Sequence, residues 1–546
     1  MTPLLSIESL AVSIGEVQIL KDVSLQVARG EILGLVGASG SGKSMTALAI
    51  MQLLPPRARM SGVVTLQGSV LTSRSEAQLQ RIRGRDLGMV FQEPMSALNP
   101  AMRIGDQVAE TVRLHESGSA SQALKKAREA LDSVGLASDR SALDRYPHEL
   151  SGGQRQRVAI AMAIALRPSL LIADEPTTAL DVSTQAQVLD LLQGLARSRA
   201  MGLILVSHDL AVIAQVTDRI AVMSEGAIVE QGPTLETLRH LRHPYARALL
   251  AAAELTPKRR APALESAVGM PGSAALLEVR GIVGEYRLPR RSLWRPAPTL
   301  RAVDGVSLTI HRGETVGLVG ESGSGKSSLL RAILGLQRTR AGEVRLLGEV
   351  FSTASGAALR RLRRSMQAVF QDPYGSFDPQ WSVERLIAEP FHLMEVRPGA
   401  AERRRKVARV LEQVGLAPAD ARRHPHEFSG GQRQRIAIAR ALITEPALIV
   451  FDEAVSALDV LVRAQVLDLL AELSSRLKLT YLFVSHDLNV VGAIADRVYV
   501  MQRGRIVEHG ATAEVFGSPQ DPYTKSLIAA TPRLAALLAR ADVQRE

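Results

Sequence analysis

The sequence predicts an α/β protein built from two tandem copies of one domain, and three observations predict it. The loop GASGSGKS at residues 37–44 returns as GESGSGKS at 320–327. Each loop follows a short apolar run, EILGLV at 31–36 or ETVGLV at 314–319, and precedes a stretch with helical periodicity, which reads as strand, glycine loop, helix. Downstream, Ser151, Asp174, Asp181 and His208 meet Ser429, Asp452, Asp459 and His486 at a constant offset of 278. A fixed offset over that many polar positions marks the duplication of a whole domain.

At 546 residues the chain exceeds what one ordinary core organises, and two similar halves fit it best. The Pro-, Ala- and Gly-rich stretch PKRRAPALESAVGMPGSAA reads as a linker over 257–275, placing one domain at 1–256 and the other at 276–546. With 46% hydrophobic and 22% charged residues, both should bury proper cores. No apolar run reaches the roughly 18 residues of a membrane span, and the first ten residues lack the pattern of a signal peptide; a cytosolic chain is expected. Zero cysteines exclude disulfides, thiolate zinc sites and an iron–sulfur cluster. A net charge of +11 fits nucleic acid, anionic lipid or nucleotide phosphates alike. The runs RRLRR at 360–364 and RRRK at 403–406 lie in helical stretches and read as solvated faces.

The loops carry the first chemistry. Gly37, Gly40 and Gly42, with Gly320, Gly323 and Gly325 in the second copy, free the backbone to turn its N–H groups inward around phosphates, with Ser39 and Ser322 in the same turns. The following helix adds the positive end of its dipole. Lys43 and Lys326 would hold the β- and γ-phosphates of ATP, and Ser44 and Ser327 would offer a hydroxyl to Mg²⁺. LLIADE at 170–175 and LIVFDE at 448–453 are buried-strand runs that end in two carboxylates. Asp174 and Asp452 suit a hard cation, and Glu175 and Glu453 suit polarisation of an attacking water. ILVSHDL at 204–210 and LFVSHDL at 482–488 present His208 and His486 for a hydrogen bond to the γ-phosphate or that water. Finally, Ser151, Gly152, Gly153 and Gln154, like Ser429, Gly430, Gly431 and Gln432, open alanine-rich helices and form a second anion cup. One domain does not need two.

With that second cup the chain resembles the ATP-binding cassette (ABC) family over nearly its whole length. The resemblance implies two tandem P-loop NTPase domains, each with a core sheet, a small antiparallel β subdomain and a helical insertion, from about Gln92 to Ser151 and from Gln371 to Ser429. It also implies that the cup of one domain closes over the ATP of the other. One site would then combine Lys43, Ser44, Gln92, Asp174, Glu175 and His208 with the cup from Ser429 to Gln432. The other would combine Lys326, Ser327, Gln371, Asp452, Glu453 and His486 with the cup from Ser151 to Gln154. Gln92 and Gln371 join the Mg²⁺ ligands on the same ground, and Asp181 and Asp459 match the segment crossing between sites. Tyr286 stands near the adenine-stacking aromatic, where the first half has Ile14; Ala454 replaces the proline found at Pro176. Every catalytic position is filled twice, so both sites are expected to work.

FQEPMSALNP and FQDPYGSFDP resemble the Gln-loop segments of peptide-importer ATPases. The tails HPYARALLAA at 243–252 and DPYTKSLIAATP at 521–532 resemble those that follow such cassettes, although a Pro-Tyr turn alone reads as a helix cap. Among fused ATPases of dipeptide, glutathione and microcin C-type importers, the compact length favours the microcin C type. The resemblance further implies two separate membrane-embedded permease subunits, a periplasmic-type solute-binding protein, no nucleic acid, and a peripheral place on the cytoplasmic face of the inner membrane. The alternative is a soluble tandem-cassette translation factor acting on the ribosome, which would carry a long charged helical arm where this chain has a short Pro-rich linker. A pure nucleotide-binding scaffold would not need both Glu175 and Glu453.

Overall fold

A computed structural model describes residues 3–92, 97–136, 142–178, 180–254, 275–287, 298–372, 375–532, 534, 537 and 538. The expected linker lies outside them except for Ala275. The chain divides into two units, one of Met1–Glu254, Asp459–Leu461 and Pro532–Glu546, the other of Leu255–Leu458 and Val462–Thr531.

In the first unit, β1 (Leu5–Ile14), β2 (Val17–Val27), β4 (Ala58–Leu66) and β5 (Ser69–Val70) form an antiparallel sheet in the order β2-β1-β4-β5. A six-stranded sheet holds β3 (Ile32–Val36), β6 (Leu87–Val90), β7 (Leu170–Asp174), β8 (Gly202–Ser207), β9 (Arg219–Ser224) and β10 (Ala227–Pro233), ordered β10-β9-β3-β8-β7-β6. All its pairings are parallel except β9 with β10. The second unit repeats both sheets. Its small sheet is β12-β11-β14-β15, from β11 (Leu277–Arg287), β12 (Thr299–Ile310), β14 (Ala341–Leu346) and β15 (Glu349–Val350). Its large sheet is β16-β17-β18-β13-β19-β20, from β13 (Thr315–Val319), β16 (Met366–Val369), β17 (Leu448–Asp452), β18 (Thr480–Ser485), β19 (Arg497–Gln502) and β20 (Arg505–Ala511). The duplication seen in the motifs is therefore also a duplication of strand order.

Continuous apolar runs form the central strands because both faces of the large sheet are covered. Alternate residues of one strand join different cores. Ile32 and Val36 of β3, with Leu171 and Ala173 of β7, pack against helices and meet Val108, Leu131 and Ile160. Leu33 and Leu35, with Leu170 and Ile172, pack with Leu5 and Val27 of the small sheet. The insertion between β6 and β7 is helical, as expected. Its helix Ile104–His115 buries Ile104, Val108, Ala109 and Val112 on one stripe, and Ala120–Ser133 buries Ala123, Ala127, Ala130 and Leu131. The two arginine runs behave as solvated faces. Helix Gly356–Ser365 buries only Leu362, and helix Ala400–Gln413 buries Val407, Val410 and Leu411 while Arg403 and Lys406 pair with Glu384 and Glu402. Among the described residues no helix is long and apolar enough to cross a membrane.

Parallel register is what assembles the chemistry. Val36 lies beside Ser207, Asp174 beside Val206, and Val90 beside Ala173, so β3, β6, β7 and β8 end at one edge. The loops that leave that edge carry residues 37–44, Gln92, Glu175 and His208. In sheets of this kind ligands bind beyond the carboxyl ends of the strands.

Candidate functional site

Each phosphate loop wraps its own lysine. Lys43 is 5% exposed and Lys326 4%. The Lys43 Nζ donates to the Gly37 and Ala38 carbonyls at 2.8 and 2.9 Å, and the Lys326 Nζ to those of Gly320 and Glu321 at 2.7 and 2.8 Å. Burial lowers the Lys43 pKa, opposed by the Glu175 and Asp174 carboxylates. Gly42 and Gly325 cap the following helices at φ of 103° and 106°, a conformation that favours glycine. At Gly37 a Cβ would lie 2.3 Å from the Met223 carbonyl oxygen, and at Gly320 2.2 Å from that of Met501. Ser39, Gly40 and Ser44 stand exposed at the mouth of the first loop, as do Ser322, Gly323 and Ser327 at the second.

Behind the loop, burial raises the Asp174 carboxyl above its ordinary range, with the Ser44 hydroxyl pulling the other way. Its Oδ1 is buried without a hydrogen-bond partner. Asp452 is likewise raised, by burial and then by Glu453. A buried, partnerless carboxylate oxygen near an exposed serine hydroxyl is a donor set for a hard cation. Among the described residues no three His, Cys, Asp or Glu gather as a protein-only metal cage.

Glu175 and Glu453 sit one residue beyond their strands at φ of 46° and 48°, a left-handed conformation uncommon for a residue other than glycine. Their N–H groups still donate to Val206 and Val484, at 3.0 and 2.9 Å. The Glu175 carboxylate collects three donors: His208 Nδ1 at 3.1 Å, Gln92 Nε2 at 2.9 Å and Thr178 Oγ1 at 3.0 Å. Burial alone would lift its pKa; the His208 hydrogen bond and charge, Thr178 and Lys43 outweigh it and hold the group at about 2. Glu453 is lowered in the same way, against burial, by His486 at 3.2 Å and by Lys326. The halves differ in the other donors. The Ser456 hydroxyl turns to the Glu453 carbonyl at 2.8 Å, and among the described residues no hydrogen bond joins Gln371 to Glu453.

The cups are helix N-termini closed by reciprocal capping. Ser151 Oγ accepts from the Gln154 N–H at 3.3 Å while the Gln154 side chain accepts the Ser151 N–H at 3.1 Å. Ser429 and Gln432 repeat this at 3.4 and 3.0 Å. Both glutamines, expected in the cup, thus also serve as capping-box partners. Gly152 is exposed, whereas Gly153 is buried under the helix Val182–Ser198, where a Cβ would meet Thr184 Cγ2 at 2.3 Å. Asp181 caps that helix, accepting the Thr184 N–H at 2.9 Å, and Asp459 immediately precedes helix Val460–Leu477. Tyr286 is the last residue but one of β11, and its hydroxyl bonds Ser328, two residues past Lys326, at 3.0 Å and Gln337 at 2.7 Å. Ile14 holds the corresponding end of β1. Sequence reasoning missed Thr178 as a partner of Glu175, and nothing local in TTALD marks it.

Residues 20–178 and 303–456 match the ABC transporter family, and residues 229–275 and 507–545 match the oligopeptide/dipeptide transporter C-terminal region. The chain is 45% identical over 546 residues to the glutathione import ATP-binding protein GsiA of Salmonella typhimurium, covering 95% of this chain and 87% of that protein. It is also 45% identical to GsiA of Escherichia coli K12, over 94% of this chain and 86% of the relative. A solved structure, cbiO1 from Clostridium perfringens, part of the ABC transporter complex cbiONQ, aligns at 25% identity and TM-score 0.40 over 49% of this chain and 99% of its own. Two strand–loop–helix phosphate cradles, two acidic strand ends and two capped glycine helices, together with family matches over more than half of the chain, show that it belongs to the ABC transporter family as a tandem ATP-hydrolysing subunit.

Proposed function

We propose that the chain energises import of peptides or small peptide-like solutes, with glutathione-sized peptides foremost, through two separate permease subunits fed by a solute-binding protein. The observation that carries this reading is the peptide-type C-terminal region after both cassettes, joined to a glycine loop and an acidic strand end in each half. The relatives' names move the emphasis from the microcin C type toward glutathione. A peripheral position on the cytoplasmic face of the inner membrane follows from the role, since the permeases must carry the membrane spans. The ribosomal alternative has no support in these matches.

The chemistry follows from the side chains. Lys43 and Lys326 exchange two loop carbonyls for β- and γ-phosphate oxygens, which a buried ammonium prefers because they carry full charge. Ser44 and Asp174, with Gln92, would hold Mg²⁺ in the first half, and Ser327 and Asp452, with Gln371, in the second. When bound, that ion neutralises charge on the phosphate oxygens. Glu175, held near pKa 2, is an anion at neutral pH that orients and polarises water but is a poor proton acceptor until its donors let go. Moving Gln92 from Glu175 to the nucleotide removes one of them. His208 and His486 fix the carboxylates' direction. The cups complete the sites crosswise in this proposal, the loop at Lys43 with Ser429 to Gln432 and the loop at Lys326 with Ser151 to Gln154.

Reconstitution in liposomes with a pair of peptide-type permease subunits tests the assignment. ATP turnover should rise when the solute-binding protein arrives loaded with glutathione or a short peptide. Turnover indifferent to every loaded peptide, yet raised by ribosomes, would sink it.

A further inference from the structure

Each peptide-type tail returns one tyrosine to the phosphate loop of its own half. Tyr245 begins the helix Pro244–Ala253, where His243 caps it and accepts the Tyr245 N–H at 3.2 Å. Its hydroxyl accepts the N–H of Ala38 at 2.7 Å. In the second half Asp521 caps the helix Pro522–Ala530 and accepts the Tyr523 N–H at 2.8 Å, and the Tyr523 hydroxyl accepts the N–H of Glu321 at 2.9 Å. The contact therefore joins residues more than two hundred positions apart, twice, in two units. The loop residue differs while the bond persists, because the partner is main chain.

The peptide group involved is the first of each loop. Its carbonyl, that of Gly37 or Gly320, is the one that receives the lysine Nζ at 2.8 or 2.7 Å. Lysine grips one side of this peptide plane and tyrosine the other, so a rotated peptide would lose both bonds together. Tyr523 is 9% exposed and Tyr245 half-buried. The His243 and Asp521 caps fix where each ring starts, independently of Ala246 and Leu249, or Thr524 and Leu527, which are buried further along each helix.

We infer that Tyr245 and Tyr523 are positioning residues for ATP binding: from the tail they hold the first peptide of each phosphate loop in the orientation that stores the lysine until phosphate replaces its carbonyl partners. The inference rests on the reading of these loops as ATP sites, and it gives the tail a role at the nucleotide. Without the hydroxyl the first peptide can leave this orientation in nucleotide-free protein and ATP must restore it, which should weaken ATP binding by roughly twofold to tenfold per site. An interaction made equally before and during hydrolysis raises KM and leaves kcat in place.

The test uses the full chain and MgATP. Tyr245→Phe, Tyr523→Phe and the double variant keep the rings and remove only the hydroxyls. They should raise the ATP KM severalfold with kcat changed less than twofold, and should speed hydrogen exchange at the Ala38 and Glu321 amides in nucleotide-free protein. Leu249→Ala and Leu527→Ala loosen the same helices but keep the hydroxyls; they should lower the melting temperature and leave the ATP KM near wild type. An unchanged KM in the double Phe variant overturns the inference, as does an equal rise of KM in the leucine variants. Failure of the wild-type chain to bind MgATP would overturn the ATP-site reading itself, so the two failures are distinct.

Discussion

At the scale of single residues the two halves are alike in plan and unlike in detail. Glu175 has three donors where Glu453 has His486, and this makes a pH prediction. A carboxylate held at about 2 in the folded chain against an ordinary 4.5 contributes stability that is fully present above 4.5 and lost as pH falls through 2. The difference in denaturation midpoint between wild type and Glu175→Gln should thus be constant near neutrality and decline from about pH 4.5 downward; a difference flat across that window would mean that the donors do not act on the carboxylate. At neutral pH, Glu175→Gln and Glu453→Gln should each lower steady-state ATPase at least about tenfold, within the roughly 10²- to 10⁴-fold span of general-base effects. Turnover near wild type in both would remove these carboxylates from the mechanism. Only part of the distinguishing detail is local in sequence, since Thr178 stands three positions from Glu175. Gln92 is 83 positions from Glu175, and the positive φ at both glutamates has no marker in ADE or FDE.

Elements show which glycines serve folding and which serve chemistry. Gly152 and Gly153 look equivalent in SGGQ, but a Cβ on Gly152 would meet Leu180 at an ordinary 3.7 Å while one on Gly153 would meet Thr184 at 2.3 Å. The second pair repeats the contrast: a Cβ on Gly430 would meet nothing within 4 Å, and one on Gly431 would meet Val462 Cγ1 at 2.3 Å. Overpacking of the Gly153 kind costs about 1–3 kcal/mol. Gly153→Ala and Gly431→Ala should therefore lower the melting temperature by several degrees, whereas Gly152→Ala and Gly430→Ala should leave it unchanged and still depress ATPase, because the added methyl occupies the cup. Full activity in both exposed-glycine variants would show that the cups do not receive phosphate. Strands, loops and capped helices were legible because each is encoded locally: continuous apolar runs for β3, β7 and β8, glycines where φ turns positive, and serine three residues before glutamine at the cups. That last signature also announced the capping role of Gln154 and Gln432, which a reading for anion chemistry alone passed over. The tyrosine contacts were not legible, since a Pro-Tyr turn specifies where a helix starts but not which loop lies across from it.

For the molecule as a whole, duplication raises the question of which cup serves which loop, and substitution pairs can answer it. Each half retains a buried lysine, a partnerless or burial-raised aspartate and an exposed cup serine, so neither half shows the decay expected of a spare copy. In the crossed arrangement proposed above, Lys326 and Ser151 belong to one site and Lys326 and Ser429 to opposite sites. Lys326→Ala already empties its site of phosphate, so adding Ser151→Ala should lower ATP retained per chain by less than about twofold more. Adding Ser429→Ala instead strikes the remaining site, and the two losses of bound ATP per chain should sum, as for independent positions. Removing a serine cap costs about 0.5–2 kcal/mol of helix stability in either pairing, so that structural loss cancels when the two double variants are compared. Equilibrium dialysis with MgATP reads the outcome without relying on turnover, which coupling between sites would confuse. If the additivity is reversed, with Lys326→Ala and Ser429→Ala failing to add, each cup serves the loop of its own half and the head-to-tail arrangement is wrong.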